Sequence, residues 1–333
     1  MRPFKYSKTG DIPTAIKIMT ANPNARFLAG GTNILDLMKE DVERPDELVD
    51  ITHLDITKVA LILTGANAGG ISIGGPGKNT ETANHPLIRQ NFPVLSQAIL
   101  AGASAQIRNM ATNGGNLNQR TRCPYFYEVT MPCNKREPGT GCGALEGINR
   151  MHAIFGWSEK CVAVHPSDMC VALVALDATV NVQGANGKKR SIRFADYHRL
   201  PGDTPQKDNN LEHGELITSI EIPKNNFANK SYYLKVRDRA SYAFALVSVA
   251  AMLEMEDTTI KQARIAMGGV AHKPWRALEA ERFLTGKGAT EANFRQAADI
   301  EMKQAKPLQH NQFKVELGAR AIALALMKAM NGG

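Results

Sequence analysis

The order of apolar and polar positions divides the chain into three stretches. In the first, IPTAIKIMTAN (12–22) carries apolar residues at helical spacing and stops at Pro23-Asn24. ARFLAGGTNILDLMKE (25–40) predicts a short strand, a tight glycine turn and a helix, and DELVDITHL (46–54) a strand with its exit. Beyond residue 60, LILTGANAGGISIGG (61–75) has the form of a hairpin around a glycine-rich turn. HPLIRQNFPVLSQAILAGA (85–103) is helical, with Pro93 opening the second of two helices. MCVALVALDATVNVQGANGKKRSIRFADY (169–197) predicts an apolar helix, a strand, a turn at Ala185-Asn186-Gly187 and a returning strand. GELITSIEIP (214–223) adds a strand closed by Pro223. From Lys224 onward, strands are expected around SYYLKVRD, FALVSVAAML and ARIAMGGVA, then helices from KPWRALEAERFLTG to the end. No repeat or low-complexity tract interrupts this order.

Composition narrows the class. With 333 residues, 43% hydrophobic and 22% charged, the chain reads as globular, with two or three domains. The longest apolar run, AFALVSVAAML (243–253), is too short to span a bilayer and reads as a buried strand or helix, so no membrane association is expected. Lys and Arg exceed Asp and Glu by 40 to 32, but they are scattered, and no nucleic-acid partner is expected. The start, MRPFKYSKTGDIPTAIKIM, has charges where an export signal would have its apolar core. A cytoplasmic origin follows, with export only in the folded state on a signal-bearing partner.

Two segments and one cluster carry candidate chemistry. Ala29-Gly30-Gly31-Thr32-Asn33 joins a strand to a helix, and a run of free amides beside glycines is a cradle for phosphate. GASAQIRNMATNGGNL (102–117) sets Ser104, Gln106, Asn109, Thr112 and Asn116 beside Gly114 and Gly115. Neither matches the dinucleotide or P-loop patterns, and either alone could be a structural turn. All five cysteines (123, 133, 142, 161 and 170) fall within 48 residues, which points to a metal or redox centre rather than disulfides. No acid–base pair or nucleophile triad is recognisable, and His165 and His272 read as structural.

LAGGTNILDLMK, then GASAQIRNMATNGGNL, then HPSDMCVALVALDATV together resemble the flavin-binding subunits of the xanthine oxidase family of molybdenum hydroxylases. KVRDRASYAFALVSVAA and ARIAMGGVAHKPWRA extend the likeness over the whole chain. The resemblance implies an α+β chain. A two-subdomain FAD-binding fold of the vanillyl-alcohol-oxidase (PCMH) type would span residues 1–60 and 61–222. An α+β domain like that of CO dehydrogenase flavoproteins would follow over 223–333. It also implies that the two glycine loops embrace the FAD pyrophosphate and ribityl chain through Ala29, Gly30, Gly31, Thr32 and Asn33, and through Ala103, Ser104, Arg108, Asn109, Thr112, Gly114, Gly115 and Asn116. Asp168 would contact the ribityl chain, cap the helix it opens, or do both; Thr80 would lie near the adenosine. Arg108 would face a phosphate or a carboxylate. Lys235 and Arg237 would approach the flavin, or form surface salt bridges.

This chain departs from the common pattern of the family, in which GGNL runs almost directly into a SPxSD segment. Here 47 residues, 118–164, separate Leu117 from His165-Pro166-Ser167-Asp168. The insertion holds Cys123, Cys133, Cys142 and Cys161, with nine, eight and eighteen residues between them, while Cys170 reads as a core residue. Four thiolates suit a [4Fe–4S] cluster or a structural zinc, and spacing alone does not choose. Arg120, Arg122, Lys135 and Arg136 would offset the charge of a cluster, and Pro124 to Tyr127 would shield it. The insertion is similar to that of the FAD subunits of heterotrimeric periplasmic aldehyde oxidoreductases, which implies the [4Fe–4S] cluster. It also implies a small partner with two [2Fe–2S] clusters and a large partner with the molybdenum cofactor. The complex would oxidise aldehydes to carboxylic acids, with this chain passing electrons to an external acceptor. Within the family a chain that reduced NAD would need a nicotinamide site, and none is recognisable, so the resemblance implies oxygen, a ferredoxin or a quinone-linked acceptor. The alternative is a stand-alone FAD oxidoreductase whose insertion is stapled by zinc.

Overall fold

The structure, a computed structural model, describes residues 1–332. Three sheets organise it. The first is a parallel three-stranded sheet in the order β1-β3-β2, from β1 (Lys5–Lys8), β2 (Ala25–Leu28) and β3 (Glu47–Asp50). Pro13 lies in the first turn of the helix Ile12–Ala21, where its missing N–H costs nothing, and Asp11 caps that turn by accepting from the Thr14 amide at 2.8 Å. Ala15, Ile16 and Met19 of this helix pack on Val49 and Ile51. Strand β1 was not expected: KYSK is polar and largely exposed, and it is an edge strand paired with only β3.

The second sheet is antiparallel, in the order β4-β5-β8-β6-β7. Its strands are β4 (Val59–Leu61), β5 (Ile71–Gly74), β6 (Thr179–Gln183), β7 (Lys189–Arg193) and β8 (Leu216–Ile222). The hairpins at 61–71 and 183–189 form as their turn residues predict, with Asn186 and Gly187 both at positive φ. Behind this sheet lie the helices Pro93–Ala101 and Asp168–Ala175. Every residue of the latter is buried, which explains why it is apolar all round rather than amphipathic.

The third sheet runs β12-β11-β10-β9, from β9 (Ser231–Val236), β10 (Val247–Glu256), β11 (Thr259–Gly268) and β12 (Trp275–Arg276). One face of β10 sends Ala250 and Met252 into the core shared with Asp168–Ala175. The other sends Val247, Val249, Ala251 and Leu253 against the C-terminal helices Leu278–Leu284, Glu291–Met302 and Phe313–Met330. A strand covered on both faces needs no polar alternation, so β10 reads as one apolar run. The expected helical start at KPWRALEAERFLTG is corrected. Trp275 and Arg276 pair with Met267 and Ala266 as a strand, Trp275 stacks on Phe155 at 4.7 Å, and the helix begins at Leu278.

The insertion has little regular structure beyond the single turns Pro124–Tyr127 and Gly143–Glu146. Its own side chains and the segment before the last helix hold it by hydrogen bonds. The Arg136 guanidinium donates to the carbonyls of Tyr125, Phe126, Val129 and Met131, and Asn134 accepts from the Gly139 and Gly141 amides. The segment before the last helix clamps its far end: the His310 amide donates to Asn149, Asn311 to the His152 and Ala153 carbonyls, and Lys306 to Ile154.

Candidate functional site

The two glycine segments meet. An ideal Cβ on Gly30 would lie 2.1 Å from the Met110 carbonyl oxygen, so only glycine allows this approach. Gly31 has φ +73°, a region that favours glycine and turns the chain into the helix Ile34–Lys39. Opposite, Thr112 caps the turn Asn113–Leu117 by accepting from the Gly115 amide at 3.2 Å. Asn113 is fully buried and ties this turn to the Gly74 carbonyl and the Thr82 hydroxyl. Asn116 donates to Asn79 and accepts from Ser167 at 2.5 Å.

A cleft opens on each side of this junction. One cavity, of about 840 Å³, lies between the first two sheets and is lined by Ala29 to Ile34, Gly75, Thr112, Gly114, Asn118, Arg120 and the segment 206–217. The other, of about 550 Å³, is lined by Asn79, Ala103, Arg108, Asn116, Gln119, Arg122, Ser167, Asp168 and, from the third domain, Lys235, Asp238, Arg239, Tyr242 and Phe244. Thr32, Asn33 and Gly115 border both. Such a shape suits an elongated ligand with an anion at its middle. Buried donors along the cleft lack partners, namely Asn33 Nδ2, Arg108 Nε and Arg122 Nε. A buried donor left without a partner is costly, so these atoms fit a polar ligand such as a dinucleotide.

Most of the expected residues line this cleft. Asp168 does, but it is not the cap of its helix: Ser167 caps it, accepting from the Cys170 amide at 3.1 Å. The Asp168 carboxylate instead accepts from Tyr233 and Lys235, both at 2.7 Å, in a buried ion pair. Arg108 lines the cleft too: it donates through Nη1 to the Gly102 carbonyl at 2.6 Å and leaves its buried Nε without a protein partner. Arg237 donates to the Ala101 carbonyl at 3.0 Å, outside the cleft lining. Thr80, Ser104 and Asn109 do not line the cleft either: Ser104 caps the helix Ala105–Met110, Asn109 faces solvent, and the buried Thr80 hydroxyl has no partner. Sequence reasoning missed Asn79, Gln119, Arg239, Tyr242 and Phe244. The last three lie in RDRASYAF, a stretch whose polar and aromatic residues were visible but whose position across the cleft was not.

The four insertion cysteines converge on one small cavity, lined also by Tyr125, Phe126, Lys135 and Lys160. All four are free thiols. Burial pushes Cys123 up to about 12, with Cys161 and Cys133 close enough to add to the rise, and Cys161 up to about 11, with Cys142 and Cys133 adding likewise. Among the described residues no three of their sulfurs lie within 4.8 Å of one another. Tetrahedral Zn–S bonds of about 2.3 Å would draw four sulfurs to about 3.8 Å apart. Four thiols lining one cavity are a donor set that either a four-iron core or a zinc could take.

The expected role of the insertion's cations needs correction. Arg120 pairs with Glu43 and Asp208 at 2.6 and 2.9 Å, Arg122 with Asp36 at 2.7 Å, and Lys135 with Asp208 at 2.5 Å. Lys135 draws the Cys161 thiol down, against the larger upward effect of burial. Asp208 is itself held well below the usual carboxylate range, first by Lys135 and then by Arg120, against the opposing effect of its burial. Of the expected aromatic shield, Tyr125 and Phe126 reach the cysteine cavity, whereas Tyr127 donates to Asp36. Cys170 is buried in the core, with its sulfur and the ring nitrogens of His165 and His198 within 4.8 Å of one another. This trio is poor as a metal site: His165 Nδ1 accepts from the Ser167 amide, so its proton sits on Nε2.

Residues 2–225 match the family described as the FAD binding domain in molybdopterin dehydrogenase, and residues 232–329 match the CO dehydrogenase flavoprotein C-terminal domain. The chain is a FAD-binding subunit of the molybdenum hydroxylase family. This flavin subunit is 46% identical over 329 residues to the aldehyde oxidoreductase FAD-binding subunit PaoB of Escherichia coli, covering 99% of each chain. It is 29% identical to the glyceraldehyde dehydrogenase medium chain of Sulfolobus acidocaldarius, over 85% of this chain and 82% of that one. Its fold matches a chain of CO dehydrogenase from Oligotropha carboxidovorans (TM-score 0.78, 21% identity, 100% and 99% covered). It also matches one of quinoline 2-oxidoreductase from Pseudomonas putida 86 (TM-score 0.76, 22% identity, 99% and 98% covered). The expected family, the α+β FAD-subunit fold and the oxidoreductase class are therefore borne out.

Proposed function

We propose that this subunit carries FAD and a [4Fe–4S] cluster in a heterotrimeric molybdenum aldehyde oxidoreductase. Its partners are a small [2Fe–2S] subunit and a large subunit with the molybdenum cofactor, where aldehyde becomes carboxylic acid. The observation that carries this reading is the full-length likeness to a subunit named for aldehyde oxidation. The convergence of Cys123, Cys133, Cys142 and Cys161 on one cavity supports the cluster. When bound, FAD supplies a two-electron store between one-electron carriers and an acceptor. Residues of this chain do the rest. Ala29 to Asn33, with Thr112, Gly114, Gly115 and Asn116, would hold the pyrophosphate. Asp168, fixed by Tyr233 and Lys235, would accept from hydroxyls of the ribityl chain, and Arg122 and Arg239 would bring positive charge to the cleft.

No residue of this chain is assigned to aldehyde chemistry. The acceptor is oxygen, a ferredoxin or a quinone-linked carrier. The complex works in the periplasm, exported folded with a signal-bearing partner. Among the described residues no helix is long and apolar enough to cross a membrane. The test is anaerobic mixing of the assembled complex with a panel of aldehydes, followed by absorbance. Bleaching of flavin and iron–sulfur bands by an aldehyde, reversed by an acceptor, supports the relay. Turnover by this chain alone, without partners, contradicts it.

A further inference from the structure

Among the described residues a single side chain lies within hydrogen-bonding distance of a sulfur in the cysteine centre: His152 Nε2 is 3.1 Å from Cys123 Sγ. The imidazole is 2% exposed. Its backbone is held from two sides: the His152 amide donates to the Asn149 carbonyl at 3.1 Å, and its carbonyl accepts from Lys314 Nζ at 3.0 Å and Asn311 Nδ2 at 3.1 Å. Lys314 and Asn311 are themselves fully buried and belong to the C-terminal domain. The ring is thus positioned by a domain other than the one that supplies the cysteines. A thiolate ligand can only accept, so Nε2 carries the proton and Nδ1 the lone pair. His152 Nδ1 has no protein partner. The residue borders a cavity of about 160 Å³ lined also by Arg122, Ser167, Asp168 and Phe244, which border the flavin cleft as well.

We infer that His152 is a positioning residue of the iron–sulfur centre, donating one hydrogen bond through Nε2 to the sulfur of Cys123 and thereby raising the centre's reduction potential. This rests on the four-iron reading above. A donor on a ligand sulfur stabilises the more negative, reduced state of a cluster, so removing it makes the centre harder to reduce. Because it is the one side-chain donor to the four sulfurs among the described residues, its removal should be visible as a single step.

The experiment is a redox titration of the purified complex followed by electron paramagnetic resonance, with iron and FAD measured on each sample. His152→Phe should keep iron and FAD and shift the oxidised-to-reduced ratio at fixed potential about tenfold, a midpoint lowered by about 59 mV. His152→Gln, whose amide can still donate, should restore most of the wild-type midpoint. With 15N-histidine labelling, the wild-type reduced centre should show a weak 15N coupling that His152→Gln lacks. This second measurement decides the matter if His152→Phe loses its iron. A midpoint unchanged in His152→Phe, or no 15N coupling in the wild type, overturns the inference while leaving the cluster in place. A wild-type complex without iron overturns the underlying reading and this inference with it.

Discussion

Gly30→Ala tests whether the two glycine loops form the flavin site together. The substitution adds one methyl group at a backbone conformation that alanine adopts freely. The added Cβ would lie 2.1 Å from Met110 O, 2.8 Å from Met110 C and 3.0 Å from Ala111 Cα. All three are backbone atoms, so no side chain can swing away. Because real contacts begin at about 3.0 Å, the loops must part by about 0.9 Å. Met110 is anchored by Lys78, which donates to the same carbonyl at 3.0 Å, and Ala111 by its amide, which donates to the Ile107 carbonyl at 2.7 Å. Overpacking of this kind costs about 1–3 kcal/mol, and if the cost falls on the FAD-bound geometry, affinity drops about 5- to 150-fold. The assay is calorimetric titration of FAD into flavin-stripped protein, with Gly10→Ala as control, since nothing lies within 4 Å of that position. Wild-type FAD affinity in Gly30→Ala would refute the idea that the Gly30–Met110 contact sets the width of the site.

Further expectations follow from the cysteines and the buried histidines. Cys133→Ser should lose iron while retaining FAD, checked by metal and flavin assay, because Cys133 lines the cysteine cavity and not the cleft. Cys170→Ser should keep both, because Cys170 is buried in the core away from that cavity. Burial pushes His198 down to about 4 and His272 down to about 3, so on acidification the unfolded chain takes up these protons first. Stability is then lost as pH falls below about 6.5, by about 2 kcal/mol per histidine between pH 7 and 5. His272→Asn, which retains a donor for the Arg199 carbonyl, should shrink that pH 7-to-5 loss by about the same amount in denaturant melts. An unchanged loss would mean that His272 is already protonated in the fold.

What could be read from the sequence follows from where its information is local. The Gly30-Gly31 and Gly114-Gly115 turns, the hairpin at Asn186-Gly187 and the apolar helix after Ser167 are each specified by neighbours in the chain, and each formed as expected. Strand β1 has no apolar periodicity because it is an exposed edge, and the strand Trp275–Arg276 is set by pairing with Met267 and Ala266. Within the second loop, spacing did not tell which side chains face the cleft: Thr112 and Asn116 do, while Ser104 is turned to its own helix and Asn109 to solvent. Arg122 was visible as a cation beside Cys123, but only the tertiary structure puts it against Phe244 of the third domain, 5.5 Å from its ring. The convergence of four cysteines separated by up to eighteen residues is likewise a product of packing, clamped by Arg136, Asn134 and the segment 306–314.

The central claim is that this flavin subunit joins a FAD cleft to a four-cysteine iron–sulfur centre. The most direct test is quantitation of iron, zinc and FAD in the anaerobically purified complex, with an absorption spectrum before and after dithionite. Partner [2Fe–2S] clusters are excluded by repeating the assay on this chain after separation. The account predicts four irons per FAD in this chain, no stoichiometric zinc, and flavin bands over a broad absorption that dithionite bleaches. Zinc in place of iron, or a folded chain with neither iron nor flavin, would contradict it.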